Sequence, residues 1–290
     1  MIRHLAVALL IAAVPAAAQA QQAPASPGPI VAPSPAPSPS PSPSGPSDPC
    51  GSILSIVTRP TVTTSTCTVR DGHALLETGY TNTTISGNGG GNAVTYPQAL
   101  LRIGIAQHAD LEITPPSFDR TTAGTALATG WSDTGIGAKW ELGYTQQAVW
   151  GVNVQATFPT GSPPLFTAGH TQYTANANWG YTLNSVFALA GTVGLNWLAA
   201  ANNNGSTQNY FAFIPTLNLT AGLPNSQQLG VEYAYFSHAG PGLPSKGLVD
   251  FEYQRDFGPH QQLDLEYGFQ PNVINGQKLH YVGAGLSFMY

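Results

Sequence analysis

The amino-acid sequence predicts an all-β fold, a transmembrane antiparallel β-barrel of about twelve strands. Apolar and polar residues alternate with a period of two from residue 74 to the end of the chain, as in strands with two different faces. Charged residues make up only 8% of the chain and aromatic residues 10%, a balance that favours lipid as the outer solvent. Short and long connections alternate along the chain, as periplasmic turns and external loops do in outer-membrane barrels.

The amino terminus has the parts of a secretory signal peptide. Arg3 and His4 precede an apolar run over residues 5–14, and small residues follow up to Ala20. This run is too short to span a bilayer, so residues 1–20 are predicted to be a cleaved signal peptide. No cysteine stands at the predicted cleavage site, which argues against a lipoprotein. We therefore expect export to the periplasm and insertion into a Gram-negative outer membrane.

Two segments separate the signal peptide from the barrel. Residues 21–49 are rich in proline and serine and predict a disordered, extended periplasmic linker, because proline lacks a backbone N–H donor. Residues 50–73 predict a short periplasmic segment, either a cap or a plug. Its cysteines, Cys50 and Cys67, are predicted to form a disulfide bond, since disulfides persist in exported chains. A two-cysteine metal site is the weaker alternative, because no further ligand stands at suitable spacing.

Residues 74–290 carry the predicted outer-membrane barrel. Candidate strands lie near residues 74–82, 96–106, 109–115, 131–143, 147–158, 170–181, 185–198, 209–221, 228–237, 247–257, 261–269 and 279–290. Long external loops are predicted at 86–93, 116–129, 160–169, 199–207, 237–245 and 271–277. The stretch 186–200 is the most apolar and could form a buried helix, but small and polar residues on one parity favour a strand.

The parity of each strand assigns its faces. Apolar and aromatic residues occupy one parity and are predicted to face lipid, with aromatic girdles near the strand ends. Charged residues occupy the other parity, because a charge on the lipid face would cost several kcal/mol near the midplane. The predicted lumen-lining residues are Glu77, Arg102, Asp110, Glu112, Asp133, Lys139, Glu141, Glu232, Asp250, Glu252, Asp264 and Glu266.

This set predicts a wet lumen with an excess of acid. Such a lumen favours cations and neutral polar or aromatic solutes over anions. The alternative is purely structural: arginine and lysine neutralise the neighbouring carboxylates and fill the interior, and nothing is conducted.

The last strand has the character of a closing barrel strand. Leu286, Phe288 and Tyr290 share one apolar face, and Ser287 lies on the opposite face. A soluble domain seldom ends on such a strand, because the exposed edge invites aggregation. We predict that this strand pairs back onto the first strand. Its three apolar residues are predicted to be a membrane-insertion signature, used with the barrel-assembly machinery.

Several short segments resemble the outer-membrane transporter-like proteins associated with the meta-cleavage pathway of phenol degradation. The similar segments are Leu75-Leu76-Glu77-Thr78-Gly79-Tyr80, Leu100-Leu101-Arg102-Ile103-Gly104-Ile105, Leu111-Glu112-Ile113, Gly130-Trp131-Ser132-Asp133-Thr134-Gly135-Ile136-Gly137-Ala138-Lys139-Trp140 and Phe158-Pro159-Thr160-Gly161, and the similarity also extends upstream to Ile56-Val57-Thr58-Arg59-Pro60-Thr61-Val62. The resemblance implies a monomeric barrel that moves hydrophobic or aromatic nutrients across the outer membrane. It also implies that Glu77, Arg102, Glu112, Asp133 and Lys139 face the lumen.

The remaining patterns exclude other functions. A net charge of −5 offers no basic patch for nucleic acid. The histidines form no metal-ligand cluster, and the Gly-rich stretch 87–91 lacks the context of a phosphate-binding loop. A lipid hydrolase is less favoured, because Ser237 and His238 would point to opposite faces of a strand. We expect a passive, cofactor-free channel for small solutes; the alternative is a structural or adhesion barrel with a closed lumen and partner-binding loops.

Overall fold

The computed structural model describes residues 48–87, 90–201, 207–274 and 276–290. The predicted signal peptide lies outside the described residues, as does the predicted linker apart from its last two residues. The described chain is almost entirely β-structure. Within these ranges, no helix has the length and apolar character needed to cross a bilayer.

One short helix precedes fifteen strands in the described chain. The elements are α1 (Ile53–Ile56), β1 (Ala74–Gly87), β2 (Gly91–Tyr96), β3 (Leu100–Ala106), β4 (Ala109–Thr114), β5 (Phe118–Ala123), β6 (Ala126–Trp131), β7 (Thr134–Tyr144), β8 (Ala148–Phe158), β9 (Gln172–Thr182), β10 (Phe187–Ala201), β11 (Thr207–Leu223), β12 (Gln227–Phe236), β13 (Lys246–Asp256), β14 (Gln261–Phe269) and β15 (Gln277–Met289). Strand β10 covers the most apolar stretch, which confirms the prediction of a strand there.

Twelve of these strands close into an antiparallel barrel, as the sequence predicts. From β1 the ring runs through β3, β4 and then β7 to β15, and β15 pairs back onto β1 from Leu75↔Met289 to Gly87↔Gln277. Ala74 and Tyr290 exchange both of their backbone hydrogen bonds, at 3.1 and 2.8 Å. The ring therefore has no free edge, which is the condition for a sheet in hydrocarbon.

The other three strands extend the wall at one end of the barrel. Strand β2 pairs with the second half of β1, β5 pairs with β2, and β6 pairs with β5. The prediction of a loop over residues 116–129 was therefore wrong. Gly124, with φ of +57°, permits a tight turn there, and the flanking threonines suit strands. We call this end, which carries the longer connections, the long-loop end, and the opposite end the short-turn end.

The two faces of the wall differ in chemistry. On β10, Val193, Leu195 and Trp197 are exposed, while Thr192 and Asn196 of the other parity are buried. The same division recurs on β7 to β9 and on β11 to β14. Because successive side chains point to opposite faces, this pattern produces an apolar outer surface around a polar interior.

The interior is not empty, because the chain before β1 runs through it. We call residues 50–70 the plug segment. Ile53, Ile56 and Val57 of this segment pack with Leu75 of β1 and Val149 of β8 in a small apolar core. This core is the main apolar cluster that the barrel encloses among the described residues, and it ties the plug segment to the short-turn end.

A disulfide joins Cys50 to Cys67, as predicted from the sequence. Both residues are almost fully buried in the apolar core of the plug segment. The bond closes a loop whose ends are 17 positions apart, so the unfolded chain loses loop entropy when the bond forms.

We expect Cys50→Ala with Cys67→Ala to lower the free energy of unfolding by about 3 kcal/mol, because the loop is released. The midpoint of denaturant unfolding in detergent measures the change. Wild-type protein with reductant is the matched control and should shift by a similar amount. An unchanged midpoint in both would show that the bond does not stabilise the fold.

Candidate functional site

The plug segment is held by side chains of the wall that bond mainly to its backbone. Its anchors come from β1, β4, β10 and β12, strands on different sides of the ring. The segment therefore crosses the interior and is not a cap lying outside it. The contact zone between the plug segment and the wall is the candidate functional site.

The first anchor is Glu232 on β12, on the opposite side of the ring from β4. One carboxylate oxygen accepts from Val62 N at 2.7 Å, and the other accepts from Thr63 N and Thr63 Oγ1 at 2.5 Å each. Thr63 Oγ1 also lies 2.6 Å from Thr216 Oγ1 of β11. The anchor forms because Glu232 and Thr216 are diagonal neighbours of the same inward parity on the paired strands β11 and β12.

The second anchor is Arg102 on β3, whose side chain is fully buried. Its guanidinium donates to Ile56 O at 2.5 Å and to Cys67 O at 2.7 Å. It therefore bonds to the plug segment both before and after the Thr-rich stretch. The same group donates to Asp110 Oδ2 at 2.6 Å. That carboxylate also accepts from Val69 N at 2.8 Å.

Further charged side chains of the wall surround Arg102. Glu77 Oε1 and Glu112 Oε1 each lie 3.7 Å from the guanidinium, and Lys139 Nζ lies 3.2 Å from Glu112 Oε1. Arg102 pairs with Glu112 across β3 and β4, so register sets opposite charges side by side. Because the network is buried, removing one charged side chain would leave its partners as uncompensated buried charges.

The third anchor involves the backbone and side chain of Arg59. Glu77 Oε2 accepts from Thr58 N and Arg59 N at 3.0 Å each, and Gln254 Nε2 donates to Arg59 O at 2.7 Å. The Arg59 side chain reaches the wall between β1 and β14, where Nη2 lies 3.4 Å from Asp264 Oδ1.

The wall formed by β8 to β11 carries amides and hydroxyls instead of charges. Asn178 bonds to Asn153 at 2.9 Å and to Thr192 at 3.0 Å, and Thr174 donates to Asn196 at 2.9 Å. Thr64 N of the plug segment donates to Thr192 Oγ1 at 3.0 Å. The interior thus has an uncharged polar side opposite its ionic sides.

Cavities lie on both sides of the plug segment. Towards the long-loop end is a cavity of about 310 Å³, lined by Thr58, Thr64, Gln98, Ala99, Leu100, Glu112, Thr114, Ser117, Asn153, Gln155 and Asn176. Towards the short-turn end is a cavity of about 210 Å³, to which Thr58, Thr61, Gln147, Thr182, Gln228 and Glu252 contribute. Thr58 lines both cavities, so the plug segment is the partition between them.

The structure places the predicted lumen-lining residues in different settings. Most are buried inside the ring, and Glu266 is partly buried. Asp250 accepts from the hydroxyl of Tyr281, and Glu252 accepts from Asn218 Nδ2. Glu141 Oε1 accepts from His108 Nδ1 at the short-turn end, at 3.1 Å. Their role in lining a path for solutes stays a prediction.

Asp133 differs from the other predicted positions. It lies just before β7, where its two oxygens accept from Gly161 N and Ala168 N at 2.8 Å each. It therefore holds the connection between β8 and β9 at the long-loop end. Of the five residues that the resemblance assigned to the lumen, the structure brings together Glu77, Arg102, Glu112 and Lys139, but not Asp133.

The residues of the plug segment that meet these anchors were not predicted from the sequence. Arg59, Thr58 and Thr63 lie in a Thr-rich stretch without periodicity, and their partners are far away in sequence. The one available signal was their inclusion in a segment tied by Cys50 and Cys67.

Ser237 and His238 do not point to opposite faces of a strand, contrary to the prediction from the sequence. Both residues follow the end of β12, so the rule of opposite faces does not apply, and Ser237 Oγ lies 3.2 Å from His238 Nδ1. Ser237 Oγ also accepts from Phe213 N. No carboxylate bonds to His238 among the described residues, so the pair lacks the third group that orients a catalytic base.

In the described part of the chain, no three histidine, cysteine or acidic side chains are grouped to hold a metal ion. The chain matches no protein-family model and no curated protein. Solved structures resemble its fold. An outer-membrane channel from Pseudomonas putida has a TM-score of 0.60 and 12% identity, over 77% of this chain and 97% of that chain.

Two other solved structures are less similar. The NanC porin has a TM-score of 0.49 and 11% identity, over 73% of this chain and 98% of that chain. The CymD monoaromatic hydrocarbon channel has a TM-score of 0.44 and 11% identity, over 77% of this chain and 89% of that chain. At these identities the comparisons establish the fold alone, a porin-like barrel of the outer-membrane type.

Proposed function

We propose that the protein is an outer-membrane channel for small solutes whose interior is closed by the plug segment in this structure. The observation that carries the proposal is the partition itself: two cavities inside a closed barrel, divided by a segment that bonds to the wall through its backbone. Passage is passive diffusion and needs no cofactor. It requires the plug segment to move aside.

The proposed setting follows from the outer surface and from the sequence. Lipid surrounds the exposed apolar face, and the signal peptide and barrel-assembly machinery deliver the chain to the outer membrane. The short-turn end, where β1 begins and β15 ends, faces the periplasm. The linker over residues 21–49 then lies in the periplasm as well.

The proposed solutes are cationic or neutral and polar. Interior carboxylates outnumber the interior cations, and the opposite wall offers amides and hydroxyls. An anion would meet the excess negative charge in a narrow space, where the field is poorly screened. Passage of hydrophobic or aromatic compounds is supported only by the sequence resemblance, because the large apolar side chains of the strands face outwards.

The acid excess predicts cation preference in planar bilayers. We expect Glu252→Gln with Glu266→Gln to shift the reversal potential under a salt gradient towards zero, because two interior charges are lost. Asp71→Asn removes an exposed carboxylate before β1 and is the control, which should keep the wild-type reversal potential. An unchanged reversal potential in the double variant would contradict the acidic path.

The plug segment also favours a second candidate, a structural or adhesion barrel that stays closed. Liposome swelling with graded solutes separates the two candidates. A channel admits the smallest solutes, and a permanently closed barrel admits none, even when the plug anchors are removed.

A further inference from the structure

The Arg59 guanidinium lies in a pocket formed by Gly79, Gln98, Asp264, Glu266 and Gly285, which we call the seat. We propose that the seat is a binding subsite for small planar guanidinium solutes. Arg59 occupies this subsite from within the chain, and a solute that replaces it releases one anchor of the plug segment. The inference rests on the proposed channel function, because it names the class of solute that the channel admits.

The floor of the seat is a notch between two glycines. Gly79 of β1 and Gly285 of β15 are direct partners in the β1–β15 register. A Cβ atom on Gly79 would lie 2.2 Å from Arg59 Cζ, and one on Gly285 would lie 2.5 Å from Arg59 Nε. Any larger residue at either position would therefore collide with the guanidinium, so the notch matches a flat group lying against bare backbone.

The rim of the seat supplies acceptors. Arg59 Nη1 donates to Gln98 Oε1 at 3.0 Å, and Nη2 lies 3.4 Å from Asp264 Oδ1 and 3.9 Å from Glu266 Oε1. Thr81 Oγ1 donates to Gln98 Oε1 at 2.8 Å and lies 3.2 Å from Glu266 Oε1, so it lies between the two acceptors. Guanidinium groups prefer such a combination of carboxylate and amide oxygens around a flat face.

The seat has unused hydrogen-bonding capacity, which independently points to a ligand. Asp264 is fully buried, and within the described residues its Oδ2 has no hydrogen-bond partner. Arg59 Nε likewise donates to no described atom. Buried polar atoms normally have partners, so the tethered arginine satisfies this seat incompletely.

The tether explains why a free solute can replace Arg59. Charge-assisted N–H···O contacts are normally about 2.7–2.9 Å long and often bidentate, whereas the contacts to Asp264 and Glu266 are longer. The backbone of Arg59 is fixed by Glu77 and Gln254, which limits the positions that its guanidinium can reach. A free guanidinium has no such restraint and can engage both oxygens of Asp264. The exchange leaves the charge of the seat unchanged.

The seat is accessible from the long-loop end. Gln98, which forms its rim, also lines the cavity of about 310 Å³. The Arg59 side chain is 15% exposed, unlike the fully buried Arg102. A cation that enters this cavity therefore lies next to one rim residue of the seat.

The test uses the refolded full-length protein and methylguanidinium at millimolar concentration. In wild-type protein we expect a saturable rise in the open fraction of single channels, because the solute replaces Arg59. In Arg59→Ala we expect no further rise in the open fraction, but methylguanidinium should raise the unfolding temperature in detergent by filling the empty seat. Methylguanidinium should bind at least about tenfold more tightly than tetramethylammonium, which has no N–H donor.

Three variants control the test. Arg255→Ala removes an exposed arginine that stacks on Phe257 away from the seat, and it should respond like wild type. Adding Asp264→Asn to Arg59→Ala should abolish the rise in unfolding temperature. Gly79→Ala fills the notch and should also abolish any response to the solute.

The outcomes separate this inference from the channel proposal. If channels open but methylguanidinium changes neither the open fraction nor the unfolding temperature, the inference is overturned. The channel proposal then still stands. A rise in the unfolding temperature of Arg59→Ala without conductance in any variant supports the subsite and overturns the channel. An equal response to tetramethylammonium overturns the assigned chemistry.

Discussion

Replacing Arg102 by methionine should destabilise the barrel by about 3–5 kcal/mol, the usual cost of removing one partner from a buried ionic network. The substitution keeps most of the side-chain length but leaves Glu77, Asp110 and Glu112 without their shared cation. It also removes the donors to two plug carbonyls. Denaturant unfolding in detergent, or loss of the folded band on a gel run without heating, measures the effect.

Arg255→Met is the matched control, because that arginine is exposed and bonds to none of these groups. We expect it to unfold at the wild-type midpoint. If Arg102→Met also unfolded at the wild-type midpoint, the buried network would contribute nothing to stability, and the carboxylates around it would have to be neutral in the folded barrel.

The barrel could be predicted from the sequence because its determinants are local. A period of two assigns each side chain to a face, and this was enough to place most strands, the β10 stretch and the closing pair β1–β15. The disulfide followed from export and from the presence of only two cysteines. The hairpin of β5 and β6 was not predicted, because Pro115, Pro116 and Gly124 are residue types typical of loops. In the structure the two prolines precede β5, and Gly124 lies in the turn between β5 and β6.

The plug segment could not be placed from the sequence, because non-local contacts determine its position. Thr63 and Glu232 are 169 positions apart, and the Thr-rich stretch has no periodicity that indicates burial. The notch for Arg59 depends on Gly79 and Gly285 being register partners across the barrel closure. A shift of one residue in that register would remove the notch while leaving the alternating pattern of each strand unchanged.

The interior charges divide between two roles that the sequence left as alternatives. Around Arg102 and Lys139, opposite charges lie close enough to neutralise each other, which is a structural role. On β12 and β13, Glu232 and Glu252 bond to backbone N–H groups or amides, and among the described residues no cation pairs with them. The proposed preference for cations therefore depends on this second group.

Glu232→Ala should release Val62 and Thr63 of the plug segment from the wall and so open the channel. Without the carboxylate, Val62 N and Thr63 N lose their acceptor in the closed state, at about 1–3 kcal/mol for each unpaired buried group. The open state loses nothing, since water can reach those groups when the plug segment has moved. A difference of about 2 kcal/mol would raise the ratio of open to closed channels roughly thirtyfold in single-channel recordings.

Glu141→Ala is the matched control, because it also removes a buried carboxylate from the wall but bonds to His108 at the short-turn end and not to the plug segment. It should keep the wild-type open fraction. If Glu232→Ala folded and its open fraction stayed at the wild-type value, the plug segment would not be the closing element. The partition between the two cavities would then be a fixed part of the barrel, which is what the structural candidate requires.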